Sequence, residues 1–187
     1  MIDCLVVGAG AAGTVAAGFA ARRGCSTLLV ESSRDGGRKI LISGGGRCNV
    51  LPSRLQTDRF VSDSPPTLVK RILRSWPLDR QRQFFDDEIG LDLRREEETG
   101  KLFPASNRAR DVRDGLLAWA VRSGAVVRYS TRIESVASID AGWEVTTQSG
   151  NTIRARRLLL ATGGLSVPKT RSDGFGLGVA RRLGHTI

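Results

Sequence analysis

The sequence predicts an α/β fold in which a β-α-β unit begins a parallel sheet. Residues 2–7 form an almost unbroken apolar run, as expected for a buried parallel strand. A glycine pattern follows in residues 8–13, and an alanine-rich stretch over 11–23 then predicts a helix that ends at a glycine. A second apolar strand is predicted over 26–31. The length of 187 residues suits one domain, or one domain and part of another.

The glycine pattern is typical of a dinucleotide-binding turn. Gly8 permits the tight turn after the strand, Gly10 lets the backbone approach a pyrophosphate, and Gly13 lets the helix pack close to the strand. The helix N-terminus offers free N–H groups and a positive dipole end to the phosphates. Glu31 closes the second strand near the spacing of an acid that binds a ribose hydroxyl. The unit therefore predicts a Rossmann-like site for FAD or NAD, and argues against the 2′-phosphate of NADP.

A second glycine-rich stretch, residues 36–49, is predicted to be a loop that lies against the ligand. Its three successive glycines, 44–46, leave no side chains in the way of a flat molecule. Its basic side chains and backbone N–H groups can surround a phosphate or an electron-rich ring. A flexible linker is the alternative, which the mixture of glycine with apolar and basic residues disfavours.

A buried parallel strand is predicted over 157–161, with Thr162-Gly163-Gly164 at its carboxyl end. Ligands of open α/β sheets lie outside the carboxyl ends of the strands. We therefore expect three stretches, 8–13, 36–49 and 161–164, to converge on one site.

The remaining chain is predicted to contribute a helical insertion and a β-hairpin to a single domain of residues 1–187. The insertion covers about 51–100 and the hairpin about 141–156. The predicted elements are helices over 67–75, 79–88 and 108–123, a short strand over 91–93, strands over 125–129 and 132–139, and hairpin strands over 143–148 and 151–155.

Composition narrows the class of protein. The net charge is +10, but the basic residues are scattered and no aromatic stacking motif accompanies them, so a solvated basic surface is favoured over nucleic-acid binding. The sequence contains no run of about 18 apolar residues, so no membrane span is predicted. The initial Met-Ile-Asp-Cys leads straight into a strand, so we expect no secretory signal. The three cysteines match no metal pattern, and we expect a reduced, cytoplasmic protein.

Three motifs resemble the BaiN/YhiN-like family of FAD-dependent oxidoreductases: Gly37–Asn49, Leu102–Asn107 and Ala161–Thr170. With the closing Leu183–Ile187, the resemblance covers essentially the whole chain. It implies a flavoprotein of the two-dinucleotide type, in which the 141–156 hairpin belongs to a small antiparallel crossover sheet. Such a protein passes hydride from NAD(P)H through FAD to an unsaturated, small organic acceptor. It also leads us to expect that the family's substrate domain is absent from this sequence.

The predicted cofactor contacts come from all of these segments. The resemblance implies that the backbone around Ile133 borders the adenine. No catalytic residue is predicted, because a flavin supplies the redox chemistry. The predicted FAD-binding residues are Gly8, Ala9, Gly10, Ala11, Ala12, Gly13, Glu31, Gly37, Arg38, Lys39, Ser43, Gly44, Gly45, Gly46, Arg47, Cys48, Asn49, Ile133, Ala161, Thr162, Gly163 and Gly164.

Several of these side chains have more than one interpretation. Arg47 or Lys39 could stabilise negative charge on a reduced flavin. Cys48 is a redox thiol or, as we favour, a small packing residue. The chain departs from the family near its end, where Phe175 stands in place of an acid and Arg171 in place of a glycine. If that acid contacts FAD in relatives, the contact is missing here unless Asp173 takes its place.

Two other functions stay open. An NAD-dependent dehydrogenase would explain the first β-α-β unit but neither the 36–49 stretch nor the late glycine pair. A non-catalytic or truncated flavin- or nucleotide-binding module, including a basic protein that binds RNA, would explain the short length.

Overall fold

The computed structural model describes residues 1–167 and 172–187, and the chain opens with the predicted β-α-β unit. Strand β1 covers Ile2–Val7, helix α1 Ala11–Arg22 and strand β2 Thr27–Val30. Helix α1 can lie close to its neighbours because its inward residues are small: a Cβ on Gly18 would be 2.1 Å from the Trp119 ring. Strands β1 and β2 are parallel, with Leu5 beside Leu28.

One six-stranded mixed sheet carries the first of two compact units, which consists of residues 1–40 and 116–187. The further strands are β6 (Val126–Arg128), β7 (Ile133–Ile139), β8 (Gly142–Thr147) and β9 (Thr152–Leu160). The strand order is β6-β2-β1-β9-β8-β7. The β6-β2-β1-β9 half is parallel and the β9-β8-β7 half antiparallel. This is the Rossmann-like α/β arrangement that the sequence predicts.

The predicted hairpin strand over 151–155 and the parallel strand over 157–161 are a single strand, β9, so their separation was wrong. No turn residue interrupts the chain between them. Ala155 pairs with Trp143 of β8 on one side and with Ile2 of β1 on the other. The carboxyl half is also less buried than predicted, because Leu159 is 40% exposed.

One core cluster of this unit lies on one face of the sheet, while Val6 and Leu29 are completely buried on the other face. Leu5, Val30, Val145 and Ala155 are completely or almost completely buried in that cluster. The aliphatic side chains of both halves of the sheet share this core, so the antiparallel strands are an extension of the parallel ones and not a separate layer. The first unit ends with helix α6, Phe175–Arg182.

The second unit, residues 41–115, contains a small antiparallel sheet and short helices. Its sheet order is β3-β5-β4, from Leu51–Pro52, Lys101–Pro104 and Leu93–Arg95. Helix α3 (Pro66–Ser75) agrees with the predicted helix. The helices that link the units in sequence are α2 (Arg38–Ile42) and α5 (Ala109–Arg122), and the remaining helical segments are α4 (Leu78–Gln83), 3₁₀ turns at Ser43–Gly46 and Thr57–Arg59, and a π-helical turn at Phe84–Ile89.

Three local predictions for residues 36–93 were wrong in detail. The 36–49 stretch is not an open loop, because α2 and the 3₁₀ turn fill most of it. The helix predicted over 79–88 changes to π-helical geometry at Phe84 and ends at Gly90, which has a φ of 75°. The short strand predicted over 91–93 is shifted along the chain, since β4 begins only at Leu93.

In the described residues, no helix combines the length and the hydropathy that crossing a bilayer requires.

Candidate functional site

The glycine turn after β1 has no room for side chains at two of its three glycines. Gly8 has a φ of 104°, and a Cβ there would be 2.6 Å from the Ala161 carbonyl oxygen. A Cβ on Gly13 would be 1.9 Å from the Gly8 carbonyl oxygen. Gly13 therefore lets the helix lie close to the strand, and the positive φ of Gly8 fits a tight turn, as the sequence predicts. The close approach of Gly8 to Ala161 was not predicted.

Gly10 differs, because a Cβ there would meet no protein atom within 4 Å. It precedes α1 as its N-cap, without a side-chain cap and without an acidic residue in the first turn. The first N–H groups of a helix have no partner inside the helix, and the dipole gives that end a partial positive charge. The turn thus presents bare backbone and an uncapped helix end, which fits a pyrophosphate.

Glu31 follows β2 and joins the glycine turn to the next loop. One carboxylate oxygen accepts a hydrogen bond from the Ala9 N–H at 2.8 Å. The other accepts from the N–H and the hydroxyl of Ser33, each at 2.7 Å. The sequence did not reveal this positioning role, since it depends on the backbone of a turn 22 residues away. The contact with a ribose hydroxyl stays a prediction.

One pocket lies at the carboxyl ends of β1, β2 and β9, all within the first unit. Ten predicted residues line it: Gly8, Gly10, Glu31, Gly37, Arg38, Lys39, Ile133, Ala161, Thr162 and Gly163. Nine lining residues were not predicted: Val7, Val30, Ser32, Ser33, Thr131, Arg132, Ser172, Asp173 and Phe175. The predicted convergence of the first and last stretches is therefore present, joined by the start of the 36–49 stretch.

The other predicted residues of the first unit, Ala9, Ala11, Ala12, Gly13 and Gly164, do not line this pocket. Ala9 and Gly13 support it from behind, through the Glu31 bond and the close helix–strand contact. The segment Pro168–Arg171, which holds the end of the third motif and the Arg171 departure, lies outside the described residues.

The pocket carries three cations with different partners. Arg38 is 3.5 Å from the carboxylate of Asp35, and Arg132 is 2.9 Å from that of Asp173. Lys39 instead donates to the Ser166 hydroxyl at 3.1 Å and makes no ion pair with any residue that the structure describes. Its uncompensated ammonium group can attract a bound anion.

Asp173 holds the chain near the pocket in two ways. Besides pairing with Arg132, it accepts a hydrogen bond from the Phe175 N–H at 3.1 Å. An acid thus lines the pocket although Phe175 occupies the position where the family has one. This agrees with the alternative, raised by the sequence, that Asp173 takes the place of that acid.

Ser43–Asn49 belong to the second unit, where they form a constrained turn. Gly44, Gly45 and Gly46 all have positive φ values, of 56°, 68° and 87°. A Cβ on Gly44 would be 2.7 Å from the Phe103 ring. Their predicted contacts with a flavin stay predictions.

Arg47 is held inside the second unit by two interactions. Its guanidinium lies 4.3 Å from the centre of the Phe103 ring and 2.8 Å from the Glu96 carboxylate. The Thr99 hydroxyl and the Arg47 guanidinium lower the pKa of Glu96. Because this pKa is lower in the folded chain, the pair stabilises the fold above the ordinary carboxyl pKa, and this contribution is lost as the pH falls through the folded-state value.

Cys48 has the properties of a packing residue. It is only 5% exposed, and burial raises the pKa of its thiol to about 11, against a smaller opposite effect of the Ser43 hydroxyl. A thiol with this pKa is almost fully protonated near neutral pH and is a weak nucleophile.

We expect Cys48 to resist alkylation by iodoacetamide at pH 8 in the native protein, whereas the half-buried Cys25 reacts. All three cysteines should react after unfolding, and peptide mass spectrometry measures the modification at each one. Modification of native Cys48 at the rate seen for Cys25 would contradict the packing interpretation.

Replacing Glu31 with glutamine should destabilise the protein by about 1–3 kcal/mol, since an amide cannot accept the hydrogen bonds of both Ala9 and Ser33. Urea unfolding measures the change. Glu144→Gln is the matched control: that carboxylate pairs with Arg154 at the surface, so its loss should cost less than about 1 kcal/mol. Equal effects of the two substitutions would contradict the role given to Glu31.

Comparison with known proteins places this site in context. Residues 2–187 match the family model described as the HI0933-like protein Rossmann domain. The chain is 31% identical over 187 residues to the ribosomal RNA dihydrouridine synthase of Escherichia coli K12, covering 99% of this chain and 45% of that protein. It is 30% identical over 185 residues to the 3-dehydro-bile acid delta(4,6)-reductase of Clostridium scindens, covering 97% and 44%. It thus spans less than half the length of these relatives.

Solved structures show the same fold at lower identity. The 3-ketosteroid-delta4-(5alpha)-dehydrogenase of Rhodococcus jostii RHA1 gives a TM-score of 0.63 at 16% identity, over 88% of this chain and 46% of that one. Thermovibrio ammonificans THI4 gives 0.58 at 19% identity, over 94% and 63%. These similarities confirm the predicted Rossmann-like fold class.

Proposed function

The chain belongs to the family of the HI0933-like Rossmann domain, and from this premise we propose that it is the FAD-binding portion of a flavin-dependent oxidoreductase. The family match and the relatives confirm the resemblance to BaiN/YhiN-like flavoproteins. The observation that carries the proposal is the pocket at the glycine turn, where the open side of Gly10, an uncapped helix end and the ammonium of Lys39 lie together.

The residues of the pocket fit the ADP half of FAD. The uncapped end of α1 would hold the pyrophosphate, and Lys39 would supply a positive charge without a carboxylate partner. Glu31, whose carboxylate is fixed by Ala9 and Ser33 before any ligand binds, would hold the adenosine ribose. The backbone around Ile133, which also lines the pocket, would border the adenine.

FAD, when bound, supplies the two-electron chemistry that transfers hydride, and the protein supplies binding and orientation. We propose NAD(P)H as the donor and an electron-poor ring double bond as the acceptor. The names of the two relatives support the acceptor class, because both a dihydrouridine synthase and a delta(4,6)-reductase saturate a carbon–carbon double bond in a ring. Within residues 1–187, Glu31 and Lys39 would hold the cofactor, and we assign no residue a role in proton transfer.

Anaerobic titration with NADH and, separately, with NADPH tests the proposed reaction. We expect one of the two to bleach the visible absorption of the flavin in the FAD-loaded protein, and an unsaturated acceptor to restore it. Retention of FAD without bleaching by either nucleotide would favour a non-catalytic flavin-binding module. A protein that binds NADH and no flavin would favour the dehydrogenase alternative.

A further inference from the structure

A second cleft shares Thr131 and Arg132 with the dinucleotide pocket. We call it the hairpin cleft, because the turn between β8 and β9 forms one of its walls. Its volume is about 740 Å³. The lining residues are Arg128, Ser130, Thr131, Arg132, Thr147, Gln148, Ser149, Asn151, Thr152 and Ile153.

The lining of the hairpin cleft is polar and positively charged. Ile153 is its single apolar side chain, and no carboxylate lines it among the described residues. Two guanidinium groups are surrounded by hydroxyl and amide groups, which donate hydrogen bonds. Arginine forks match the oxygens of a phosphate, and hydroxyl and amide groups add further donors around it. The cleft therefore suits a phosphate better than an apolar ligand or a cation.

The walls of the cleft are fixed without a ligand. The Gln148 N–H donates to the Arg132 carbonyl oxygen at 2.8 Å and so ties the two walls together. The hairpin turn is closed by the Thr147 N–H, which donates to the Asn151 carbonyl oxygen at 2.8 Å, and by the Asn151 N–H, which donates to the Thr147 hydroxyl at 3.1 Å. On the opposite wall, the Ser130 N–H donates to the Ser33 carbonyl oxygen at 2.8 Å. Such a frame keeps the ordering cost of binding low.

Two arginines of the six-stranded sheet, Arg128 and Arg157, make no ion pair with a described residue, and of these only Arg128 lines the hairpin cleft. Arg154 and Arg156 on β9 are paired with Glu144 at 2.8 Å and with Asp3 at 3.7 Å. Arg132 is paired with Asp173. Arg128, at the end of β6, is exposed and has no ion pair with any residue in 1–167 or 172–187. No carboxylate therefore offsets the positive charge that Arg128 presents to a ligand.

We propose that the hairpin cleft binds a phosphate group of a nucleotide other than the dinucleotide in the neighbouring pocket, with Arg128 as its main cation. A free mononucleotide and an RNA strand both carry this group. This inference rests on the proposed function in one respect only, that FAD fills the neighbouring pocket.

Fluorescence anisotropy of a labelled oligouridylate, titrated at low salt with protein that has been incubated with excess FAD, tests the proposal. We expect Arg128→Ala to weaken binding about tenfold, the loss of one charge-assisted hydrogen bond. Arg181→Ala is the matched control, since it removes one exposed charge from α6, which does not line the cleft. It should change the affinity by less than about twofold. Equal affinities of the two variants would overturn the proposal.

Competition by uridine monophosphate separates the two sources. Displacement of the oligouridylate at similar phosphate concentrations assigns the cleft to a mononucleotide, and failure to displace it assigns the cleft to a strand; both require the Arg128 effect. Flavin absorption, recorded on the same samples, distinguishes failure of the proposed FAD site from failure of the proposed phosphate site. Arg128-dependent binding by a protein that holds no flavin would sustain this inference and contradict the FAD site.

Discussion

Replacing Gly10 with valine should weaken FAD binding at least about 100-fold and leave the apo protein folded. A Cβ at this position meets no protein atom within 4 Å, and the backbone already has a φ of −78° that valine adopts without strain. The new side chain would instead occupy the space that the turn leaves for the pyrophosphate. Because the substitution should affect FAD binding without affecting stability, the variant tests the proposed role of the turn in isolation.

Fluorescence titration with FAD and urea unfolding of the apo protein measure the two effects of Gly10→Val. We expect the free energy of unfolding to change by less than about 1 kcal/mol, since N-cap preferences differ by only a few tenths to about one kcal/mol. Wild-type affinity for FAD in the variant would show that the pyrophosphate does not approach the chain at Gly10.

Replacing Gly13 with alanine, unlike Gly10→Val, should act mainly on folding and destabilise the apo protein by about 2–4 kcal/mol. The added Cβ would be 1.9 Å from the carbonyl oxygen of Gly8 and 3.0 Å from the Cβ of Ala161. The obstructing atom is backbone, so α1 must move away from β1. Loss of FAD binding should follow from this movement, because the helix end would leave the pyrophosphate position.

The sign of the effect is diagnostic, since glycine to alanine inside a helix ordinarily stabilises it by up to about 1 kcal/mol. Gly178→Ala in α6 provides the comparison, because its Cβ would meet only the Arg182 side chain at 3.6 Å. Urea unfolding should show Gly178→Ala to be neutral or stabilising. If Gly13→Ala behaved in the same way, the close packing of α1 on β1 would not be needed.

The parts of the fold that sequence patterns predicted are those with local causes. The β-α-β unit could be predicted because apolar runs, the glycine turn and alanine-rich periodicity all lie within residues 2–31. Glycine at position 13 also carried geometric information, since it allows one particular close approach of backbone. The late strand end at Ala161 joined this site as predicted.

The parts that could not be predicted depend on contacts between distant residues. Arg132 and Asp173 meet at the pocket although 41 residues separate them, and no motif predicts that they pair. The positioning role of Glu31 likewise became visible only with the Ala9 hydrogen bond. The stretch over 36–49 was predicted as a loop because its glycines suggested one, but the apolar residues within it support the short helix α2 instead.

Gel filtration of the protein after incubation with FAD tests the central claim, that the pocket at the glycine turn holds this cofactor. We predict that flavin absorption elutes with the protein at about one FAD per chain, and that Gly10→Val elutes without it. A wild-type protein that elutes colourless, or a Gly10→Val protein that retains the same amount of FAD, would contradict the account.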